Sequence, residues 1–294
     1  MQNMPFRPIA LADKKLFELA RAENPTDSCE QTFAVNFAYS DNYNTQIAVW
    51  NGRVAVYKPK HKILHYPIGA DTEPLQLIEY AKFAEHNGAR FDYIYDAPPD
   101  YAEKFPDAAE FFDILQSDGD ADYIYNTEDL RELKGAILRK KRNHIKHFET
   151  ANPHWTFGEI DSANIDEARE FAAARAADFD AAAMQKAFAN FADAGFSGII
   201  LRNEARQIAG LAVFAKISDT MADTVFEKSE KSERGAAQML VKVEAEYLVK
   251  RGIIFMNREQ DLGEPNLRQA KRSLDPARMY ARLSLVQQSN EIRN

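Results

Sequence analysis

Hydrophobic positions along this chain recur at two periods, and the switches between them mark out an ordered series of elements. "TQIAVW" and "RVAVYK" alternate at the strand period, with Asn51-Gly52 between them, the signature of a two-residue hairpin. "FRPIA" and "KILHY" give two further short strands. "LADKKLFELARAEN" has the helical period, with Leu16, Phe17 and Leu19 inward and Pro25 beyond its end. "EQTFAVNFAYS" is a second, shorter helix. "TEPLQLIEYAKFAEHNG" carries a full set of boundary signals: Thr72 as cap, Pro74 in the first turn, Gly88 after the last turn. The strand "RFDYIYD", the short helix "PPDYAEKF" and two closing strands, "EFFDIL" and "DYIYN", follow.

After residue 153 the same order returns. "HWTFGEI" is a strand, and "SANIDEAREFAAARAADF" with "DAAAMQKAFANFADAG" a helix pair. "GIILRNE", "RQIAGLAVFAKIS" and "MADTVFEKS" are three strands, and "GAAQMLVKVEAEYLVKRG" is a long amphipathic helix. "IIFMNRE", "EPNLRQAKR" and "ARMYARLSLVQ" close the half as strand, helix and strand. The repeat is one of topology, since the two halves share no residue-by-residue similarity. This order predicts an α/β (α+β) fold of two units, each a mixed sheet flanked by helices. The expected boundaries are an N-terminal domain over 1–126, a basic connecting helix over 127–153 and a C-terminal domain over 154–294.

At 294 residues, with 45% hydrophobic and 28% charged positions, the chain has material for two cores. No apolar run reaches the ~18–20 residues of a membrane span. The first fifteen residues lack the basic and apolar regions of a signal peptide. Cys29 is the single cysteine, which excludes an intrachain disulfide framework and is read as a small buried side chain. Together these features place the protein in the cytoplasm.

Charge changes the picture. The net charge is −8, yet residues 134–148 hold Lys134, Arg139, Lys140, Lys141, Arg142 and Lys146 and no acid. On a helical wheel Ile137, Leu138, Ile145 and Phe148 form one stripe, with Lys141 in its middle and His144 at its edge. An ammonium in an apolar stripe must reach solvent, pair with an acid or enter a polar cavity. The remaining cations face outward. Either they form a solvated face, or they are a local landing site for phosphates on a molecule that otherwise repels polyanions. A solvated helix ordinarily mixes signs at i,i+4, and this one does not.

The segments "DYIYNTEDLRELKG" (122–135), "KKRNHIKHF" (140–148), "NREQDLGEPNLRQAKRS" (257–273) and "YPIG" (66–69) resemble the bacterial DUF2156 family. That family is related to the C-terminal catalytic domain of phosphatidylglycerol lysyltransferases. The resemblance runs over nearly the whole chain. It implies two GNAT-type acyltransferase domains in tandem, with an architecture like that of the Fem-type transferases. The lysyltransferase relatives move an aminoacyl group from a charged tRNA to a lipid. They also carry a large membrane-embedded region that this chain lacks, so a lipid acceptor does not follow.

Two segments carry the expected chemistry. GNAT domains hold a donor's pyrophosphate where a strand enters the long helix, on backbone N–H groups and the positive helix end. "SERGAAQ" lies at that turn, with Gly235 and Ala237 in the pattern and Arg234 displaced by two; a plain helix entry would look similar. In "NREQDLGEPNLRQAK", Asn257, Arg258, Glu259 and Asp261 follow an apolar strand, where α/β sheets place ligand groups. Arg268 and Lys271 share a helix face three residues apart. Glu259 or Asp261 is the candidate base, and Arg268 and Lys271 the candidate holders of a phosphate or carboxylate. The alternative is a salt-bridge network pinning a loop. Lys141 and His144 are expected to face the same substrate, and Arg139, Lys140, Arg142 and Lys146 to meet phosphate or RNA.

The histidines show no metal-ligand spacing, including His61 and His65, so no metal is expected. The leading reading is a soluble acyltransferase that moves an aminoacyl or acyl group onto an amine or hydroxyl in a crevice between the domains. Its donor is aminoacyl-tRNA or acyl-CoA, with no tightly bound cofactor. A possible tRNA or a phosphorylated small molecule is the partner. The alternatives are an acyl-CoA-dependent N-acetyltransferase and a noncatalytic module that binds a metabolite or RNA.

Overall fold

The computed structural model describes residues 3–288. In chain order the elements are β1 (Met4–Pro8), α1 (Lys14–Glu23), α2 (Phe33–Ala38), α3 (Ser40–Tyr43), β2 (Gln46–Trp50), β3 (Arg53–Lys58), β4 (Ile63–His65), α4 (Pro74–His86), β5 (Tyr93–Ala97), α5 (Tyr101–Lys104), β6 (Phe112–Gln116), β7 (Asp122–Asn126), α6 (Thr127–Glu132) and α7 (Arg139–Ala151). The second half continues with β8 (Thr156–Glu159), α8 (Ile165–Ala173), α9 (Asp178–Ala189), β9 (Phe196–Arg202), β10 (Ile208–Lys216), β11 (Met221–Ser229), α10 (Ala236–Val249), β12 (Phe255–Asn257), α11 (Pro265–Arg272), β13 (Arg278–Tyr280) and β14 (Leu283–Gln287).

Two seven-stranded mixed sheets result, ordered β1-β2-β3-β4-β5-β14-β6 and β13-β7-β12-β11-β10-β9-β8. The chain divides into two units: residues 1–121 with 280–294, and residues 122–279. Reversing the second order aligns it with the first, so each unit has one parallel pair at the same place, β4–β5 and β11–β12.

Two strands depart from the sequence reading. "DYIYN", expected to close the first unit, is β7 of the second sheet and pairs with β12. "ARMYARLSLVQ", expected as one strand, breaks at Ala281 and Arg282 into β13, beside β7, and β14, which enters the first sheet between β5 and β6. The reason lies at the break. Arg282 is 1% exposed, and its Nε donates to Asp96 Oδ1 at 2.7 Å. A buried guanidinium paired this closely turns the chain into the first unit. The segment 127–153, expected as a connector, lies inside the second unit, where α6 and α7 pack on α10.

Locally the signals mostly hold. Asn51 (φ 46°) and Gly52 (φ 83°) form the β2–β3 turn, as a hairpin with two left-handed residues requires. The cap of α4 is Glu73, reciprocated by Gln76, and Pro74 is its first residue; Thr72 instead is buried and donates its N–H to the Tyr66 hydroxyl. In α1, Phe17 and Ala20 are buried, whereas Leu19 is exposed. Cys29 is buried. The first core gathers Trp50, Leu64, Leu77, Tyr80, Phe112 and Leu285. The second gathers Tyr125, Phe148, Leu201, Phe214, Leu240 and Met256. Among the described residues no helix is long and apolar enough to cross a membrane.

Candidate active site

In the second unit, β12 ends at Asn257 and the chain leaves the sheet through a tightly braced loop. Asn257 is fully buried; its Nδ2 donates to Asp122 Oδ2 at 2.9 Å, and its Oδ1 accepts the Glu259 N–H at 2.7 Å. Gln260 Nε2 donates to the other Asp122 oxygen at 2.6 Å. Glu259 and Leu262, both at φ 54°, and Gly263 at φ 77° give the loop its sharp reversals. Left-handed backbone at a side-chain-bearing residue costs of order 1–3 kcal/mol and persists only where its surroundings fix it. Glu259 is half-buried at the first of these positions.

Asp261 is the anchor of the loop. Its carboxylate is fully buried and accepts from Arg268 Nε at 2.7 Å, Arg268 Nη2 at 2.9 Å, the Tyr123 hydroxyl at 2.7 Å and the Gly263 N–H at 2.9 Å. The Arg268 hydrogen bonds, with those of Tyr123 and Gly263, hold this carboxyl far below the usual carboxylate range despite burial. Such a group keeps its charge and accepts a proton poorly, so the geometry favours Glu259 over Asp261 as a base. Lys271 donates to the carbonyls of Gln260, at 2.6 Å, and Arg258. Arg268 and Lys271 thus both hydrogen-bond to the loop.

Arg258 makes a second cluster. It is largely buried, pairs with Glu244 Oε2 at 3.0 Å and also binds Glu227 Oε2. The β11–β12 pairing ends at Asp223–Asn257, while β11 continues to Ser229. Glu227 and Arg258 therefore tie together two strands that have ceased to pair. Glu244, on α10, is 0% exposed. Burial, and then the neighbouring Glu227 carboxylate, push its carboxyl well above the ordinary value. Sequence reasoning missed Glu244. The signal was an acid in the apolar stripe of Leu240, Val241, Tyr247 and Leu248, the same anomaly that singled out Lys141.

On α7 the cations divide. The helix begins at Arg139 with Leu138 as its cap, so Ile137 falls outside it and is 64% exposed, against the expected stripe. Ile145 and Phe148 are buried as expected. Lys141 is half-buried, and no acid among the described residues pairs with it. Burial, and then the nearby Arg258 guanidinium, lower its pKa. Arg139, Lys140 and Lys146 are exposed. Arg142, expected to meet phosphate, donates instead to the carbonyls of Gly135, at 2.8 Å, and Leu133, which closes the turn after α6.

The turn into α10 has a packing reason for its glycine. Gly235 is buried at φ 89°, and a Cβ there would lie 2.1 Å from the His144 carbonyl oxygen and 3.2 Å from Phe148 Cβ. The N-terminus of α10 is thus covered by α7. His144 contributes its backbone there, and its side chain is exposed. Arg234 is exposed and Ala237 half-buried. The preceding loop borders a depression of about 460 Å³ lined by Glu167, Glu170, Arg175, Asn203, Glu230 and Glu233, among others. Arg175 is paired to Glu230, so the uncompensated charge is acidic and opposes a pyrophosphate.

The fold and these elements define two tandem GNAT-like units. The chain belongs to the family described as phosphatidylglycerol lysyltransferase, C-terminal, whose model matches residues 21–283. No curated protein matches it. Among solved structures it is similar to a conserved protein of unknown function from Bacteroides thetaiotaomicron, with a TM-score of 0.85 and 24% identity over 97% of this chain and 100% of that one. It is also similar to the L-PGS from Bacillus licheniformis, with a TM-score of 0.67 and 12% identity over 95% and 92% of the two chains. For FemX the TM-score is 0.64, with 10% identity over 97% of each chain. At these identities the solved structures speak for the fold alone.

Proposed function

We propose that this protein is an aminoacyltransferase whose reaction centre is built on the loop after β12 in the second unit. The observation that carries this reading is the family match over residues 21–283, and the loop geometry supports the division of roles proposed here. An amine or hydroxyl acceptor attacks the ester carbonyl of an aminoacyl-tRNA. The new C–N or C–O bond forms as the ester C–O bond breaks, and the acceptor proton passes to Glu259 and then to the departing 3′ oxygen of the tRNA. Asp261, Arg268, Lys271 and Asn257 hold the loop rigid, so that Glu259 is positioned before substrate arrives. Lys141, a half-buried ammonium without an acid partner, meets an anionic group of the substrate, and Arg258 stands behind it. Arg139, Lys140 and Lys146, exposed on α7, meet the tRNA backbone. An acyl-CoA donor is disfavoured, because α7 covers the α10 N-terminus at Gly235 and the adjoining depression is acidic.

The test is donor consumption by the purified full chain, with the twenty charged tRNAs and acetyl-CoA as separate donors. At least one charged tRNA should lose its aminoacyl group to an added amine or hydroxyl. Glu259→Gln should slow that step by about 10²-fold or more while tRNA retention is unchanged. Lys140→Glu with Lys146→Glu should abolish salt-sensitive retention. Consumption of acetyl-CoA alone, or a Glu259→Gln protein as fast as the parent, would overturn the assignment.

A further inference from the structure

The first unit holds a buried polar cluster that the reading above does not use. Lys58 Nζ donates to Glu30 Oε2 at 2.8 Å, with side chains 7% and 16% exposed. Arg282 and the Ser28 hydroxyl both donate to Asp96 Oδ1, at 2.7 and 2.8 Å. Asp96 sits at φ 68°, where β5 is out of register with β14. The second Asp96 oxygen is buried without a hydrogen-bond partner. His65, at the end of β4 and 1% exposed, has no partner for either ring nitrogen. Glu30 lies within electrostatic reach of Lys58, His65 and Arg282. Burial and the Lys58 cation drive the His65 pKa well below its usual value, so the ring is neutral and offers one donor and one acceptor.

An unmade hydrogen bond on a buried polar group costs roughly 1–3 kcal/mol, and three such valences fall in one cluster. Natural proteins rarely keep them without a reason. The missing partner must supply N–H or O–H donors to Asp96 Oδ2 and one His65 nitrogen, and an acceptor to the other. The surrounding charges come in both signs, Lys58, Arg282 and Arg21 against Glu30 and Asp96. We propose that the first unit carries its own binding site for a small zwitterion of the α-amino-acid class, with its ammonium toward Asp96 and Glu30 and its carboxylate toward His65 and Lys58. The site is independent of the transferase reading, since it binds a free molecule and needs no turnover.

Titration calorimetry of the full chain tests it, with the twenty common L-amino acids as probes and methylamine and acetate as controls that keep one charged end each. One or more amino acids should give saturable one-to-one heat, and neither control should. Glu30→Gln and His65→Phe should each weaken binding about tenfold or more, a loss of about 1.4 kcal/mol. Glu30 is partly exposed, so its variant remains a folded test if His65→Phe fails to fold. The His65 imidazole ¹⁵N resonances of the parent should shift with the same midpoint as the heat. No saturable heat up to about 10 mM would overturn the proposal, since K_d in the millimolar range corresponds to only about −4 kcal/mol. Unchanged affinity in folded variants, or equal heat from acetate or methylamine, would overturn it too, leaving buried water as the cluster's partner.

Discussion

The two units end their parallel strand pairs differently. In the second, beyond Asp223–Asn257, two acids share one guanidinium, and burial beside Glu227 works against the charge on Glu244. In the first, beyond His65–Tyr95, Lys58 pairs with Glu30 and Arg282 with Asp96, and hydrogen-bonding capacity is left over on His65 and Asp96. One topology thus supports a braced scaffold in one place and an unfilled polar cluster in the other. The difference lies in which valence is in excess, charge or hydrogen bond.

The largest effect expected from breaking this contrast follows Arg258→Met. It leaves the half-buried Glu227 and the buried Glu244 without their cation, and the loss of one member of a buried ionic group costs about 3–5 kcal/mol. Glu244→Gln should cost under about 1 kcal/mol, because an amide replaces a carboxyl whose charge burial already opposes. Urea unfolding monitored in the second unit compares the two; equal losses would mean that Glu244 carries its charge in the fold. Next is Gly235→Ala. Left-handed backbone and a methyl driven against the His144 carbonyl should cost about 2–3 kcal/mol and loosen α7, seen as faster amide exchange in 139–151. A neutral result would mean that α7 does not rest on this turn.

The smallest effect is a pH dependence in the first unit. Burial, opposed by Arg282, raises the Asp96 pKa from 3.8 to about 6. The folded form then binds this proton more tightly than the unfolded chain does. The contribution of Asp96 is therefore complete below about pH 4 and is lost as pH rises through about 6. Asp96→Asn should remove that slope and leave the opposite one from Glu30, whose pKa Lys58 and its neighbours lower to about 2 against burial and whose contribution is lost as pH falls from about 4.5 to 2. Unfolding free energies from pH 4 to 7 in both proteins decide the matter; parallel curves would mean Asp96 stays ionised throughout.

Much of the architecture could be read along the chain because its determinants are local. Asn51-Gly52 specifies its turn whatever surrounds it, and Pro74 and Gly88 bracket α4 at the expected places. Lys141 was legible because a wheel shows a charge among apolar neighbours, and the half-buried ammonium is there. Glu244 obeyed the same rule on α10 and went unread. The partnership of Arg282 with Asp96 spans 186 residues, and no window along the sequence contains both. For that reason the last two strands were read as one. Gly235 carries a further constraint that no local window contains: besides its place in the donor-loop pattern, the close approach of α7 requires a glycine there.

The placement of β14 also sets an order of assembly. Residues 122–279 are contiguous and are synthesised before Leu283–Gln287 exist. Until those five residues are made, β5 and β6 flank an empty slot, with their edges open to any other extended peptide. Ending translation before Leu283 would therefore damage the unit whose other strands were synthesised first.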